Sequence, residues 1–285
     1  MQATLFREMS CHLGEGPLWD GTHLWFFDIL GRTMYRLNDL GDTLESWEGE
    51  RMASAAARTS GAGMLVATET DITVFDRESQ SGDTICDLEA DQPDTRSNDG
   101  RADRQGGFWI GTMGKSAAPG AGALYRFYKG ELRCLRRGIT IPNSICFSPE
   151  GKTAYFSDSA LGIIYRWMLG PDGWPVGAPV PHYQFSSPDE LPDGAVVDSS
   201  GALWVAVWGG ARVQRITEQG EAREAVEVPV PQPSCPALTP DGRLFITTAR
   251  EGMGPADLEA APLSGSIFLA QVPVRALSEP KVLLQ

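Results

Sequence analysis

The stretch SGALWVAVWGG at residues 200–210 joins a polar glycine turn to a short run of apolar and aromatic residues. Glycine favours tight turns, and β-branched and aromatic residues favour strands, so this pattern is typical of a hairpin that leads into a buried strand. It occurs at five other places: DGTHLWFFDI at 20–29, SGAGMLVATE at 60–69, QGGFWIGTM at 105–113, EGKTAYFSDS at 150–159 and DGRLFITTAR at 241–250. The chain is therefore built from six repeats.

The spacing of these repeats predicts the fold class. The turn glycines are Gly21, Gly61, Gly106, Gly151, Gly201 and Gly242, at intervals of 40, 45, 45, 50 and 41 residues. A repeat of this length is typical of a four-stranded propeller blade. We therefore predict a single all-β domain over residues 1–285, a six-bladed β-propeller with four-stranded blades around a central channel. Either ATLFRE at 3–8 or KVLL at 281–284 could add the strand that closes the ring.

The composition of the chain limits the kinds of molecule that we expect it to bind. The 285 residues carry a net charge of −13, which leaves no basic surface for nucleic acid or an anionic membrane. We expect neither of these partners, and nothing in the sequence predicts an oligomer. The five cysteines form no C-x-x-C pair, the start MQATLFREMS lacks a signal-peptide pattern, and no apolar run is long enough to span a membrane. We therefore expect a cytoplasmic protein with reduced cysteines.

Polar side chains recur at one position of the predicted inner strands, which line the channel. Asn98, Asn143 and Asp193 each lie eight residues before a turn glycine, and Glu15 lies six residues before Gly21. One such residue could simply cap its own turn. Four converging carboxylates and amides would leave buried charge unpaired unless a cation were present. We therefore predict one divalent cation with oxygen ligands, favouring Ca²⁺, Mg²⁺ or Mn²⁺ and leaving Zn²⁺ or Fe²⁺ open.

The far ends of the second strands are candidates for the wall of this site. Counting through each turn gives the pairs Asn98–Met113, Asn143–Asp158 and Asp193–Trp208. Trp208 could stack on a substrate or pack in the core, and Asp158 could support the site or cap its strand. Arg96 lies on the same side of its strand as Asn98. It could bind a carbonyl or hydroxyl oxygen or form a surface ion pair.

Four blocks of sequence carry a family resemblance: GEGPLWD at 14–20, SNDGRADRQGGFWIGTM at 97–113, PNSICFSPEGKTAYFSDS at 142–159 and PDGAVVDSSGALWVAVWGG at 192–210. With these blocks the chain resembles the regucalcin/gluconolactonase (senescence-marker-protein) family over essentially its whole length, nearest to bacterial sugar-acid lactonases. The resemblance implies a six-bladed propeller that binds one divalent cation. It also implies a metal-dependent lactonase, which hydrolyses a sugar lactone to the aldonate in sugar catabolism.

The resemblance also implies roles for individual residues. Glu15, Asn143 and Asp193 match the metal ligands, while Arg96 and Asn98 match residues that contact the substrate or the metal-bound water. Animal members have a substrate-contacting glutamate in a loop that here reads KSAAPGAGALY at 115–125, so their sugar preference does not carry over. We expect the cation to polarise the lactone carbonyl and Asp193 to act as general base. If the cation binds Asp193 tightly, that carboxylate is a weaker base and a cation-bound water becomes the nucleophile.

Three other functions stay open. One is an organophosphate or aryl-ester hydrolase on the same architecture, and another is a divalent-cation-binding regulatory protein without turnover. The third is a scaffold that binds protein partners, which would leave the converging acids unexplained. Catalysis by a serine or cysteine with histidine is disfavoured, because the sequence has three histidines and no G-x-S-x-G elbow.

Overall fold

Each sequence repeat folds into one antiparallel sheet. The computed structural model describes residues 1–61 and 63–285, and within them six sheets form a ring in which the first strand of each sheet contacts that of the next. The strands are β1 (Thr4–Arg7); β2 (Gly14–Trp19), β3 (His23–Asp28), β4 (Thr33–Asn38) and β5 (Leu44–Glu48) in blade 1; β6 (Ala53–Thr59), β7 (Met64–Thr68), β8 (Asp71–Asp76) and β9 (Ser81–Asp87) in blade 2; β10 (Thr95–Ala102), β11 (Phe108–Gly114), β12 (Gly122–Tyr128) and β13 (Glu131–Ile139) in blade 3; β14 (Pro142–Phe147), β15 (Thr153–Asp158), β16 (Ile163–Met168) and β17 (Val180–Gln184) in blade 4; β18 (Leu191–Val197), β19 (Leu203–Trp208), β20 (Arg212–Ile216) and β21 (Ala222–Glu227) in blade 5; and β22 (Pro233–Leu238), β23 (Arg243–Thr248), β24 (Ile267–Gln271) and β25 (Lys281–Val282) thereafter. The six-bladed propeller is thus confirmed.

In the residues that the structure describes, helix occurs only in short connections. A 3-10 turn spans Ser159–Leu161 after β15, and helix α1 spans Pro255–Ala260 between β23 and β24. No helix in the described part of the chain has the length and apolar content that a membrane crossing would require. Both helical segments are short, at three and six residues.

The ring is closed by the first strand of the chain. β1 pairs antiparallel with β24, so blade 6 has the strand order β22-β23-β24-β1. Of the two segments that the sequence left open, ATLFRE therefore supplies the closing strand. The other, KVLL, forms β25, which adds in parallel to the inner strand β6 of blade 2.

A β-bulge interrupts the pairing of the inner strand in every blade, at the level of the predicted site. A bulge inserts an extra residue into one strand of a pair. The pairs counted through unbulged turns are therefore wrong by one or two residues. The observed pairs are Arg96–Met113, Pro142–Asp158 and Leu191–Trp208.

The turn between the inner and second strands is held by a buried aspartate in two blades. In blade 3, Asp103 accepts hydrogen bonds from Trp109 Nε1 at 3.1 Å and from Arg126 Nε at 2.6 Å. In blade 5, Asp198 accepts a hydrogen bond from Trp204 Nε1 at 3.0 Å. Both tryptophans are fully buried, so these bonds fix the blade core to the turn.

The segment after β24 crosses the end of the channel where the inner strands turn into the second strands. Arg104 Nη1 donates to the carbonyl of Ser278, and Leu283 N donates to the carbonyl of Gly106. Between these points Arg101 Nη1 lies 2.7 Å from Glu279 Oε1, and both side chains are mostly buried. We call residues 277–283 the strap, because they tie blade 6 to blades 2 and 3 across this end.

Candidate functional site

The opposite end of the channel opens into a cavity of about 390 Å³, formed where the inner strands begin. Six of the seven predicted site residues line it: Glu15, Arg96, Asn98, Asn143, Asp193 and Trp208. All but Trp208 are buried. The polar positions of blades 1, 3, 4 and 5 therefore converge, as the register of the repeats predicted. They do so although blade 4 lies between β10 and β18 in the ring.

Asp158 is not among the residues that line the cavity, and of the two roles considered for it the structure shows the strand cap. Its carboxylate accepts hydrogen bonds from the backbone N–H groups of Thr140 at 3.0 Å and Ile141 at 3.1 Å. Asp28 does the same in blade 1, where it accepts from the N–H of Leu13 at 2.9 Å. Because Ile141 and Leu13 both line the cavity, these two aspartates shape its wall by capping strands.

Glu15 and Asp193 are two buried carboxylates that line the cavity. Burial raises the pKa of Glu15 above its ordinary value, and the charge of Asp99 adds to this, while the Gly16 amide and Arg96 oppose it. Burial also raises the pKa of Asp193 well above its ordinary value, with Glu15 adding the next contribution. Glu15 Oε2 accepts a hydrogen bond from Gly16 N at 2.8 Å. Within residues 1–61 and 63–285, no hydrogen bond reaches the Asp193 carboxylate.

Arg96 is a buried cation beside this pair. Its Nη1 donates to the carbonyl of Ser97 at 2.9 Å and to Asn98 Oδ1 at 2.8 Å. Burial lowers the pKa of Arg96, although the carboxylates of Glu251, Glu15 and Asp193 oppose the shift. Because Arg96 is buried among several carboxylates, the surface ion pair considered for it is not its environment.

The two asparagines are joined by direct hydrogen bonds. Asn98 Nδ2 donates to Asn143 Oδ1 at 2.8 Å and to the carbonyl of Pro142 at 3.0 Å. Asn143 Nδ2 in turn donates to Ser159 Oγ at 2.9 Å. These bonds use both amide hydrogens of Asn98, so this residue can offer a substrate only a lone pair on Oδ1.

The donor set fits a hard divalent cation. No cluster of three or more His, Cys, Asp or Glu side chains able to hold a metal occurs in the described residues, and the set here is two carboxylates and one amide. Carboxylate and amide oxygens are ligands that Ca²⁺ and Mg²⁺ accept. A carbonyl oxygen has two lone pairs, so Asn143 Oδ1 can accept from Asn98 and still bind a cation. Such an ion would also offset the excess negative charge of Glu15, Asp193 and Glu251.

Sequence reasoning missed several residues of the cavity wall, of which three matter for its chemistry. Lys115, Ser159 and Glu251 line it, and each follows the end of a second strand, namely β11, β15 and β23. Lys115 Nζ lies 2.6 Å from Glu69 Oε2, so its charge is already paired. Counting through the turns could not have found Ser159, because allowing for the bulge moves the partner of Asn143 from Asp158 to Ser157. The signal that these three residues share with Trp208 is their place at or just after the end of a second strand.

Comparison with known proteins gives one consistent result. The profile described as SMP-30/Gluconolactonase/LRE-like region matches residues 13–250. A putative sugar lactone lactonase of Rhizobium meliloti is 37% identical, covering 96% of this chain and 94% of its own. An L-arabinolactonase of Azospirillum brasilense is 38% identical, with coverages of 95% and 92%. The crystal structure of a calcium-binding protein, regucalcin, from Agrobacterium tumefaciens is 35% identical, with a TM-score of 0.95 over 99% of this chain and 97% of its own. The chain therefore belongs to the SMP-30/gluconolactonase/LRE-like family.

Proposed function

We propose that this protein hydrolyses the lactone of a sugar acid to the free aldonate, with one divalent cation held by Glu15, Asn143 and Asp193. The observation that carries the proposal is the pair of buried carboxylates lining a cavity whose volume suits a small sugar ring. The names of the Rhizobium and Azospirillum relatives support a sugar lactone as substrate. The calcium-binding relative from Agrobacterium supports a divalent cation, whose identity we leave among Ca²⁺, Mg²⁺, Mn²⁺, Zn²⁺ and Fe²⁺.

The reaction adds water to the lactone carbonyl and breaks the ring carbon–oxygen bond. When bound, the cation supplies positive charge that polarises the carbonyl. The Asp193 carboxylate, which accepts no protein hydrogen bond in the described chain, takes a proton from the attacking water. The ring oxygen leaves and is protonated, so the products are the hydroxyl group of the aldonate, its carboxylate and one proton.

The other residues of the cavity would bind and orient the sugar. Arg96 is fixed by its bonds to Ser97 and Asn98, and a fixed guanidinium can direct its remaining N–H groups at substrate oxygens. Trp208 offers a flat apolar wall against which the carbon face of a sugar ring can pack. The five cysteines are all free, which supports our further proposal that the protein works in the reducing cytoplasm.

The deciding experiment is lactone hydrolysis by protein that has been stripped with a chelator and reloaded with one ion at a time. Proton release from a panel of pentonolactones and hexonolactones is expected only after an ion is restored. Aryl esters and organophosphates serve as the comparison substrates. Cation binding without turnover of any lactone would favour a regulatory protein, and turnover of aryl esters or organophosphates alone would favour the other hydrolase class.

A further inference from the structure

The orientation of the Asn143 amide decides whether this residue can bind a cation. An asparagine side chain ends in an oxygen and an NH₂ group of nearly the same shape, and the neighbouring hydrogen bonds decide which of them faces a given direction. Only the oxygen can be a metal ligand. The bonds around Asn143 are therefore informative, because several of its neighbours can act only as donors or only as acceptors.

Following the bonds from blade 3 fixes one side of this amide. Arg96 can only donate and the carbonyl of Pro142 can only accept. Asn98 lies between them, so its Oδ1 must face Arg96, at 2.8 Å, and its Nδ2 must face Pro142, at 3.0 Å. The same Nδ2 lies 2.8 Å from Asn143. The atom that Asn143 presents to Asn98 is therefore its oxygen.

Following the bonds from blade 5 fixes the other side independently. The carbonyl of Pro192 accepts the hydroxyl hydrogen of Ser159 at 2.6 Å. A serine hydroxyl has one hydrogen, so towards Asn143, at 2.9 Å, Ser159 Oγ can only accept. The atom that Asn143 presents to Ser159 is therefore its nitrogen, in agreement with the result from the Asn98 side.

We propose that Ser159 is a positioning residue for the cation site, because its hydroxyl holds the Asn143 amide with the oxygen available as a ligand. This inference rests on the proposed cation site at Glu15, Asn143 and Asp193. Without the hydroxyl, the Asn143 Nδ2 hydrogen is buried without its partner, and the amide loses one of the two contacts that oppose its rotation. Loss of an outer partner of a metal ligand typically lowers metal affinity by about 10–100-fold.

The experiment measures Ca²⁺ and Mn²⁺ affinity by calorimetry, on chelator-stripped protein, for the parent and five variants. Ser159→Ala removes the hydroxyl and Ser159→Thr retains it. Ser157→Ala is the matched control, because Ser157 is also a buried serine near Pro192 but bonds to Ser144 Oγ at 3.1 Å and not to Asn143. Asn143→Asp, alone and combined with Ser159→Ala, tests the orientation itself, since a carboxylate presents an oxygen whichever way it rotates.

We expect Ser159→Ala to weaken binding of both ions about tenfold, while Ser157→Ala and Ser159→Thr stay close to the parent. In the Asn143→Asp background, Ser159→Ala should have little effect. An equal loss of affinity in both backgrounds would overturn the orientation role, as would a folded Ser159→Ala protein with parental affinity. These results are distinct from failure of the proposed function, in which the parent itself would bind neither ion, and that result would overturn both.

Discussion

The two ends of the channel differ in whether their buried charges are paired. At the strapped end the Arg101 guanidinium is paired with Glu279 at 2.7 Å. At the cavity end Glu15 and Asp193 are both buried, and the Arg96 guanidinium near them donates hydrogen bonds to Ser97 and Asn98. A buried charge is tolerated when it is paired, so the strapped end has a structural explanation within the chain. Within residues 1–61 and 63–285 no ion pair of this kind occurs for Glu15 or Asp193, which supports our proposal that the cavity end is the functional one.

This difference makes opposite predictions for the two ends. Removing a charge from a completed pair leaves its partner buried and unpaired, so stability should fall and the site should keep its properties. Removing a charge from an uncompleted cluster relieves repulsion, so the ion-free protein should become more stable while the function is lost. The following variants test that contrast.

The largest effect is expected for Asp193→Asn at the cavity end. Removing the proposed general base should lower kcat/KM for lactone hydrolysis by about 10²–10⁴-fold. The ion-free variant should nevertheless melt at a higher temperature than the ion-free parent at pH 8, because one of two adjacent buried carboxylates is gone. Proton-release kinetics test the predicted loss of activity, and thermal melting in chelator tests the predicted gain in stability. Near-parental turnover would remove Asp193 from the mechanism.

The second largest effect is expected for Glu279→Gln at the strapped end. Leaving Arg101 buried without its partner should cost about 3 kcal/mol of unfolding free energy, measured by denaturant titration, with lactone kinetics unchanged. Cys146 lines the small gap beside Glu279, and burial raises the pKa of its thiol. Faster labelling of Cys146 in the variant would locate the damage at the strap, whereas unchanged stability would mean that the pair does not hold this end.

Binding of the cation should have a comparable effect on stability, but from the other end. A ligand at a hundred times its dissociation constant stabilises a protein by about 2.7 kcal/mol. The parent and Glu279→Gln should both gain several degrees in melting temperature when Ca²⁺ or Mn²⁺ is added, and Asp193→Asn should gain much less. Equal gains in all three proteins would indicate that the ion binds elsewhere.

The smallest effect is expected for Glu131→Gln. Glu131 and Arg133 lie 2.6 Å apart, but both side chains are more than half exposed. Exposed ion pairs contribute little because water and salt screen them. No change in melting temperature outside experimental error is expected, and a loss as large as that of Glu279→Gln would show that burial is not what separates these pairs.

The blade count and the convergence of the site could be read from the sequence because both follow from a strict repeat. Glycine turns at nearly constant spacing define six hairpins, and a constant offset from those turns locates Asn98, Asn143 and Asp193 on one rim. Local patterns of this kind depend only on neighbouring residues. That is why they survive in a single sequence without any knowledge of the rest of the fold.

What could not be predicted depends on longer range or on a single inserted residue. Because of the bulge, the residue that pairs with Met113 is Arg96 and not Asn98. Nothing in the composition of a strand marks one extra residue. The bond between Ser159 and Pro192 joins two blades, and the Arg101–Glu279 pair spans 178 residues of sequence. Such contacts depend on how the ring closes, which the two candidate closing segments left undecided.

The pairing of β1 with β24 bears on how the chain is made. A ribosome releases β1 before any of blades 1 to 5, and its partner strand only after all of them. Until then Thr4–Arg7 is an unpaired edge segment, of the kind that can join another chain. Leu5 remains partly exposed even in the finished ring. Assembly yield should therefore be more sensitive to changes at residues 4–7 than the small size of this strand suggests, with domain-swapped pairs or aggregates as the alternative product.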